Sequence, residues 1–582
     1  MASQQKTNTF FGSAAVLLAG MLIVKIIGAI YKIPLGMLLT EEAYGDFNGA
    51  YNIYNFFLTI SVTGLPVALS KTVSEQHTLG RENQVTRVFR VAFIAFLVMG
   101  IISFLIMSIF SGEVAKYIIK NDKASMCIQA LSVAVLCTCC CSAFRGFAQG
   151  HMNMIPTSIS QIIEALCKAL VGLSLAYAIL NMVIEPQELR ERYAAVGAIA
   201  GVSVGSVFSL FYLAVRHTRA RRRAREKSAD VPDRSRTILS RLLTLAIPIT
   251  LSSCTMSIVT LIDTNLVMGQ LQDVFLGIQN GLYQNVDSIS GIFDKAVAIF
   301  NDNTAAMLAN PKSEIEPVLD SARSLYGTYS KAINIYNLPF NLITPLTATV
   351  VPAVSACLAR KDRLGAHNIA ESALRFAAMV ALPAGLGLFA LGTPIIHLIY
   401  FGKSDPTIGG PLLSILGLAS IFVCFQLICT SILQSHGVVR LPILTVAVGG
   451  AVKILVNLAL VGRPDVMVMG APIGTLCCFI VVAVLNFILI KWKVPNPPAY
   501  FKVLFKPLLA AVVMAAAAWA TQGFLSRHVS NTLTGNAVST LGAIVVGLVV
   551  YVILVLALRI LSRKDLDLMP KGDKIAKILR IR

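Results

Sequence analysis

The sequence predicts an all-α integral membrane protein with fourteen transmembrane helices, built as two parallel-repeat six-helix lobes plus two C-terminal helices. Three observations carry that prediction. The 582-residue chain is 56% hydrophobic and only 13% charged, with a mean hydropathy of +0.74, outside the range of water-soluble domains. It holds fourteen apolar windows long enough to cross a bilayer core, which takes about 20 helical residues. And it writes one dodecamer nearly twice: YGDFNGAYNIYN from Tyr44 to Asn55, then YGTYSKAINIYN from Tyr326 to Asn337, 282 positions later.

The windows run 10–34, 46–70, 89–111, 126–149, 156–181, 194–215, 242–268, 328–353, 369–397, 411–435, 441–461, 470–491, 504–525 and 538–561. The first lacks a small-residue cleavage site and carries Lys25 inside it, so it is expected to be a retained helix and not a removed signal peptide. Lys and Arg set the orientation. The connection between the sixth and seventh windows, RHTRARRRAREKSADVPDRSRTILSR, holds ten basic residues against three acidic ones, and the tail from Arg559 is also basic. By the positive-inside rule both are cytoplasmic. The acidic EEAYGD after the first window and the segment 269–326, with seven acids against three bases, face outward. Both termini are therefore expected in the cytoplasm. The net charge of +20 reads as topology plus contact with anionic lipid headgroups, not as a nucleic-acid footprint.

The first dodecamer opens the second window and its copy opens the eighth, six spans later. An even number of crossings gives both copies the same direction, so the halves are expected to be related by an axis along the membrane normal. A second trace agrees: Gln149 and Lys168 are 19 apart in FAQGHMNMIPTSISQIIEALCK, as are Gln434 and Lys453 in ILQSHGVVRLPILTVAVGGAVK. The expected organisation is an N-lobe over 1–216, a basic loop over 217–240, a C-lobe over 241–491 that includes the extracytoplasmic 269–326, two added spans over 504–561, and a basic tail over 562–582.

Catalytic and metal motifs do not stand out. The cysteines are scattered through apolar runs and read as small hydrophobes; adjacent thiols in CTCCC (Cys137 to Cys141) diverge by about 100° per residue and do not converge on one ion. The seven histidines show no HxxxH or HxE spacing, and neither a nucleophile elbow nor a Walker loop occurs. The chain is expected to be a transporter and not an enzyme, with no cofactor, working passively or on a coupling ion, H+ or Na+. The stretch SISGIFDKAVAIF is expected to form a short amphipathic helix on the outer interface.

Five pieces together carry a family resemblance: KIIGAIYKIP followed by YGxxxxAYNIYN, GLPVALSKTVSE, FRGFAQGHMNMIPTSISQIIEALCK and LIDTNLV. They resemble the stage V sporulation protein B branch of the MOP exporter superfamily, which sits beside the MurJ-type lipid II flippases and the polysaccharide-unit flippases. The resemblance implies a MATE-like fold in the bacterial cytoplasmic membrane. It implies a monomeric flippase that moves an undecaprenyl-pyrophosphate-linked cell-wall precursor by alternating access, with cell-wall synthesis enzymes as potential partners. The alternative in the same superfamily is a multidrug and toxin-type cation-coupled antiporter for small molecules such as hydrophobic cations; a third class is a non-transporting scaffold.

Charges inside the windows nominate the site. A charged group at mid-membrane is disfavoured by about 2.5–3.5 kcal/mol or more, so it faces a cavity or a partner. Lys168, twelve residues after Pro156, and Lys453, eleven after Pro442, reach about 18 and about 16 Å into the bilayer at 1.5 Å per residue. With Lys25 and Lys32 they are the candidates for holding a diphosphate. The competing reading pairs Lys168 with Glu164 four residues earlier, and lets Lys32 snorkel. Asn52 and Asn334 are candidates for sugar hydroxyls or for interhelical hydrogen bonds; the resemblance leads one to expect basic residues near both. Arg145 and Gln149 are read as an inner gate or as a basic anchor and capping turn. Asp263 is read as an ion-coupling carboxylate or an outer-rim acid.

Overall fold

The computed structural model describes residues 20–21, 23–28, 30–151, 153–223, 230–283, 291–309, 316–529 and 532–560. Among these residues every element is helical and no strand occurs. Eleven helices among them are long and apolar enough to cross a membrane. Of the other three windows, 10–34 lies partly outside the described residues, while 242–268 and 328–353 fall within the helices Ser235–Gln279 and Glu316–Ala359. The tail 562–582 and residues 224–229 of the basic loop also lie outside the described residues.

The chain divides into two compact units, Met1–Gly269 and Gln270–Arg582. The division falls inside a helix, and it assigns 241–269, expected in the C-lobe, to the first unit. In that unit, α1 is helical over 30–38 and in the described residues back to 20. Then come α2 (Glu41–Val62), α3 (Gly64–Thr78), α4 (Glu82–Ile109), α5 (Ser125–Gly150), α6 (Ile155–Leu180), α7 (Gln187–Arg223) and α8 (Ser235–Gln279), which continues into the second unit. The second unit adds α9 (Ile292–Ala309), α10 (Glu316–Ala359), α11 (Arg363–Ala390), the short α12 (Gly392–Ile399), α13 (Pro406–Ser435), α14 (Arg440–Leu460), α15 (Gly470–Lys493), α16 (Tyr500–His528) and α17 (Leu533–Ala557).

Local chemistry sets the helix ends. The Thr40 hydroxyl accepts from the Ala43 N–H and Glu41 and Glu42 occupy the first turn of α2, where the helix dipole favours negative charge. Asp362, Asp405 and Thr532 cap α11, α13 and α17 in the same way. Pro156 and Pro406 sit at the helix start, where a missing N–H is harmless.

Packing is inverted relative to a water-soluble protein. Only 28% of the most apolar window of α4 and 22% of that of α17 is buried within the protein, and Ile94, Val98, Ile102 and Leu105 point outward from α4. Such faces are stable only against hydrocarbon. Between helices, small residues allow close approach. Gly197, Gly201 and Gly205 line one stripe of α7, and a Cβ on Gly201 would lie 2.4 Å from the Gly172 nitrogen of α6.

The dodecamer explains itself as packing. On α2, Tyr44, Phe47, Tyr51 and Tyr54 recur at three- and four-residue spacing and stack as a ladder, with centroid separations of 5.8, 5.7 and 5.4 Å. Tyr44, Phe47 and Tyr54 are buried in the first unit's core with Leu131, Val135 and Ala198. In the second unit Tyr326, Tyr329 and Tyr336 on α10 are likewise buried. The segment expected as an interfacial helix is helical from Ile292, with 284–290 outside the described residues. It does not lie free: Phe293, Ala296 and Phe300 are buried, and Phe300 stacks on Phe275 at 6.0 Å.

Candidate functional site: a lysine and tyrosine cluster in the first unit

Lys168 lies midway along α6, which the glycine stripe of α7 holds tightly: a Cβ on Gly201 would lie 3.1 Å from the Lys168 carbonyl. From that position its ammonium donates to the Tyr51 hydroxyl at 2.9 Å. It also lies 4.6 Å from the Tyr51 ring centre and 4.8 Å from that of Tyr31. Both distances are within cation–π range. Tyr31 is itself fixed, donating to the Ala198 carbonyl at 3.1 Å. Lys32 approaches the same Tyr51 ring at 5.5 Å. Lys25 is exposed on α1. Two lysines, Lys32 from α1 and Lys168 from α6, are thus gathered around one tyrosine of the dodecamer.

The pairing expected from spacing does not form. Glu164 binds Arg145 and not Lys168: the Arg145 guanidinium donates to Glu164 at 2.9 Å, to Ser160 at 2.9 Å and to Ser209 at 3.1 Å. Arg145 is only 7% exposed. It ties α5, α6 and α7 together inside the unit, which differs from a peripheral basic anchor. Facing helices supply better partners than the same helix face does. Gln149 donates weakly to Thr157, at 3.5 Å, across the turn that joins α5 to α6. The thiols of CTCCC pack inside: Cys139, Cys140 and Cys141 are buried, and the Cys141 sulfur lies 3.6 Å from Ser209 Oγ.

Asn52 donates to the Thr264 hydroxyl of α8 at 3.1 Å, an interhelical hydrogen bond. Asp263, beside Thr264, is buried at 7% exposure. The next residue, Asn265, anchors that segment by donating to the carbonyls of Tyr117 and Ile118, both at 2.9 Å.

In the second unit, Lys453 is half-buried on α14, and Asn334 is buried on α10. Sequence reasoning missed Tyr51 and Tyr31, and in this unit it missed Arg323 and Lys331, both essentially inaccessible. Arg323 pairs with Asp320 three residues earlier, and the Lys331 ammonium donates to the Lys403 carbonyl. The available signals were the Asp-then-Arg spacing and the lysine standing where the first dodecamer has Gly49.

The family described as "Polysaccharide biosynthesis protein" matches residues 11–357, more than half of the chain, and the family described as "Lipid II flippase MurJ" matches residues 299–561. The chain is 22% identical to "Lipid II flippase MurJ" of Bacillus subtilis (strain 168), covering 89% of this chain and 87% of the relative. It is 21% identical to "Stage V sporulation protein B" of the same organism, covering 97% and 98%. Among solved structures, "Lipid II flippase MurJ, inward closed conformation" aligns with a TM-score of 0.62 at 14% identity over 93% of this chain and 98% of that one. The inward-facing multidrug resistance MATE family transporter of the MOP superfamily aligns at 0.59 and 14% identity, over 83% and 98%. The fold is that of the MOP superfamily in a multi-span membrane protein, and the chain belongs to the polysaccharide biosynthesis protein family.

Proposed function

We propose that this chain is a flippase for a lipid-linked cell-wall precursor, with an undecaprenyl-pyrophosphate-linked saccharide such as lipid II as substrate. The observation that carries the reading is the convergence of Lys32 and Lys168 on Tyr51. Cations within a membrane span are disfavoured unless they serve a partner. A diphosphate is a partner of matching charge, and the tyrosine hydroxyl supplies a neutral group able to donate to a phosphate or sugar oxygen. The activity named for the MurJ relative points the same way.

The lipid tail stays in the bilayer while the headgroup crosses. In this reading the protein sits in the bacterial cytoplasmic membrane with both termini inside. It acts as a transporter and not as an enzyme, and ion coupling is assigned to the buried carboxylate of Asp263. The multidrug-type antiporter is the second reading, favoured by the MATE alignment; the cationic cluster disfavours it, because it repels cationic cargo. The test is complementation in cells depleted of their lipid II flippase, with drug efflux measured in parallel. Growth rescue without efflux supports the flippase; efflux without rescue overturns it.

A further inference from the structure

Three helix ends meet at the basic end of the first unit, away from the lysine cluster. His77 lies in the last turn of α3, Glu82 is the first residue of α4, and His151 caps the C-terminus of α5. One ligand atom from each lies within 4.8 Å of the others. The two imidazole rings are 4.8 Å apart, and His77 Nδ1 contacts Glu82 Oε1. We propose that His77, Glu82 and His151 form a binding site for a divalent transition metal, with zinc as the best match.

The donor chemistry supports this. The carbonyl of Phe147 only accepts, and His151 Nδ1 lies 3.0 Å from it. Nδ1 therefore carries the proton, and Nε2 is left with its lone pair outward. This is the arrangement by which a backbone carbonyl orients a metal-binding imidazole. Glu82 is surrounded by arginines in the sequence, yet the neighbouring Arg81 bonds to Asp233 and Gln76 and leaves the carboxylate to His77. Two imidazoles and one carboxylate are a familiar zinc set with one position left open. The three residues share the wall of a cavity of about 700 Å³ that gives that position room for water. Arg90 and Arg216 also line it and favour an anionic fourth ligand, hydroxide or carboxylate.

The second unit supplies an internal control. His436 caps α13 as His151 caps α5, with Nδ1 2.9 Å from the Ile432 carbonyl. Its neighbour His367 is committed at both nitrogens, to the Asn496 carbonyl at 3.1 Å and to Glu371 at 3.1 Å. Glu371 is already neutralised by Arg375 at 2.7 Å. The pocket that His367 and His436 share holds only about 10 Å³. The same capping histidine therefore stands beside a metal-binding set in one unit and beside a closed ion-pair network in the other.

A metal at the first site would staple the α3–α4 turn to the end of α5. This inference does not depend on the transport reading. The test uses the full-length protein purified without a histidine tag, stripped with chelator and titrated with Zn2+ against a chromophoric competitor, and with Co2+ by visible absorption. One equivalent should bind, with Co2+ bands of low coordination number and a rise in melting temperature on adding Zn2+. Glu82→Gln and His77→Ala should each weaken binding roughly tenfold or more, and His436→Ala should leave it unchanged. Glu82→Gln keeps size and hydrogen bonding, so a well-folded Glu82→Gln protein with wild-type affinity overturns the site. So does the absence of stoichiometric binding, or a loss of binding in His436→Ala equal to that in His77→Ala.

Discussion

The two units carry the same scaffold and different chemistry. The turn after α5 and the turn after α13 are bonded alike: His151 N–H donates to the Phe147 and Ala148 carbonyls, as His436 N–H does to those of Ile432 and Leu433. Asn153 and Val438 then close the turn onto Ala148 and Leu433. Behind Lys168 and Lys453 the following helix brings a glycine to the lysine carbonyl, Gly201 at 3.1 Å and Gly474 at 3.3 Å, measured from a built Cβ. Yet the position of Tyr51, where Lys168 is held, is Ile333 in the second dodecamer, and that of Gly49 is the buried Lys331. Backbone geometry tolerates little change because it is constrained at every turn. A side chain inside that frame is free to diverge once its charge is satisfied locally: the Lys331 ammonium donates to the Lys403 carbonyl with the Tyr400 ring 5.6 Å away, where Lys168 donates to a tyrosine hydroxyl.

The sharpest way to break the comparison is to remove the lysines one unit at a time. Lys168→Ala should abolish growth rescue in flippase-depleted cells at unchanged membrane abundance, with Lys453→Ala giving a weaker defect. Equal, wild-type plating by both would remove the functional asymmetry and the cationic mechanism with it. The next effect is on stability. Glu164→Gln leaves the Arg145 charge buried without its partner, and removing one member of a buried pair costs about 3–5 kcal/mol. The lower end is expected, because Glu164 keeps 22% of its side chain exposed. A detergent melting curve checks this, and the double change Arg145→Met with Glu164→Gln should recover much of the loss.

Smaller still is Tyr51→Phe, which keeps the ring under both ammoniums and deletes only the hydroxyl. Hydrogen bonds to charged groups contribute about 1.5–3 kcal/mol, so transport in a reconstituted assay should fall roughly tenfold. Ile333→Phe in the other unit should change it little. The smallest contrast concerns packing. Gly201→Ala drives a Cβ against backbone, the Gly172 nitrogen at 2.4 Å, whereas Gly474→Ala meets the side-chain oxygen of Asn457 at 2.1 Å. Backbone cannot rotate away as a side chain can, so Gly201→Ala should lower the melting temperature more; the reverse order would mean that the buried Asn457 is the more rigid neighbour.

The sequence by itself determined that this is a helical membrane protein and that one pattern recurs in each half, whereas the breaks at Thr63 inside the expected 46–70 span and at Leu391 inside 369–397 appear only in the structure. The first two properties are local: hydropathy over about 20 residues and a repeated run of twelve. The tertiary structure alone decided which charges meet. Glu164 and Lys168 stand in the favourable i,i+4 order, but such a pair contributes only about 0.2–0.5 kcal/mol. A buried guanidinium on a neighbouring helix, left without a carboxylate, loses far more. Arg145 therefore takes Glu164, and Lys168 finds Tyr51 117 residues away. His77, Glu82 and His151 were invisible for the same reason: the third ligand reaches the other two only after α5 has packed on α3, and no spacing rule along the chain encodes that approach.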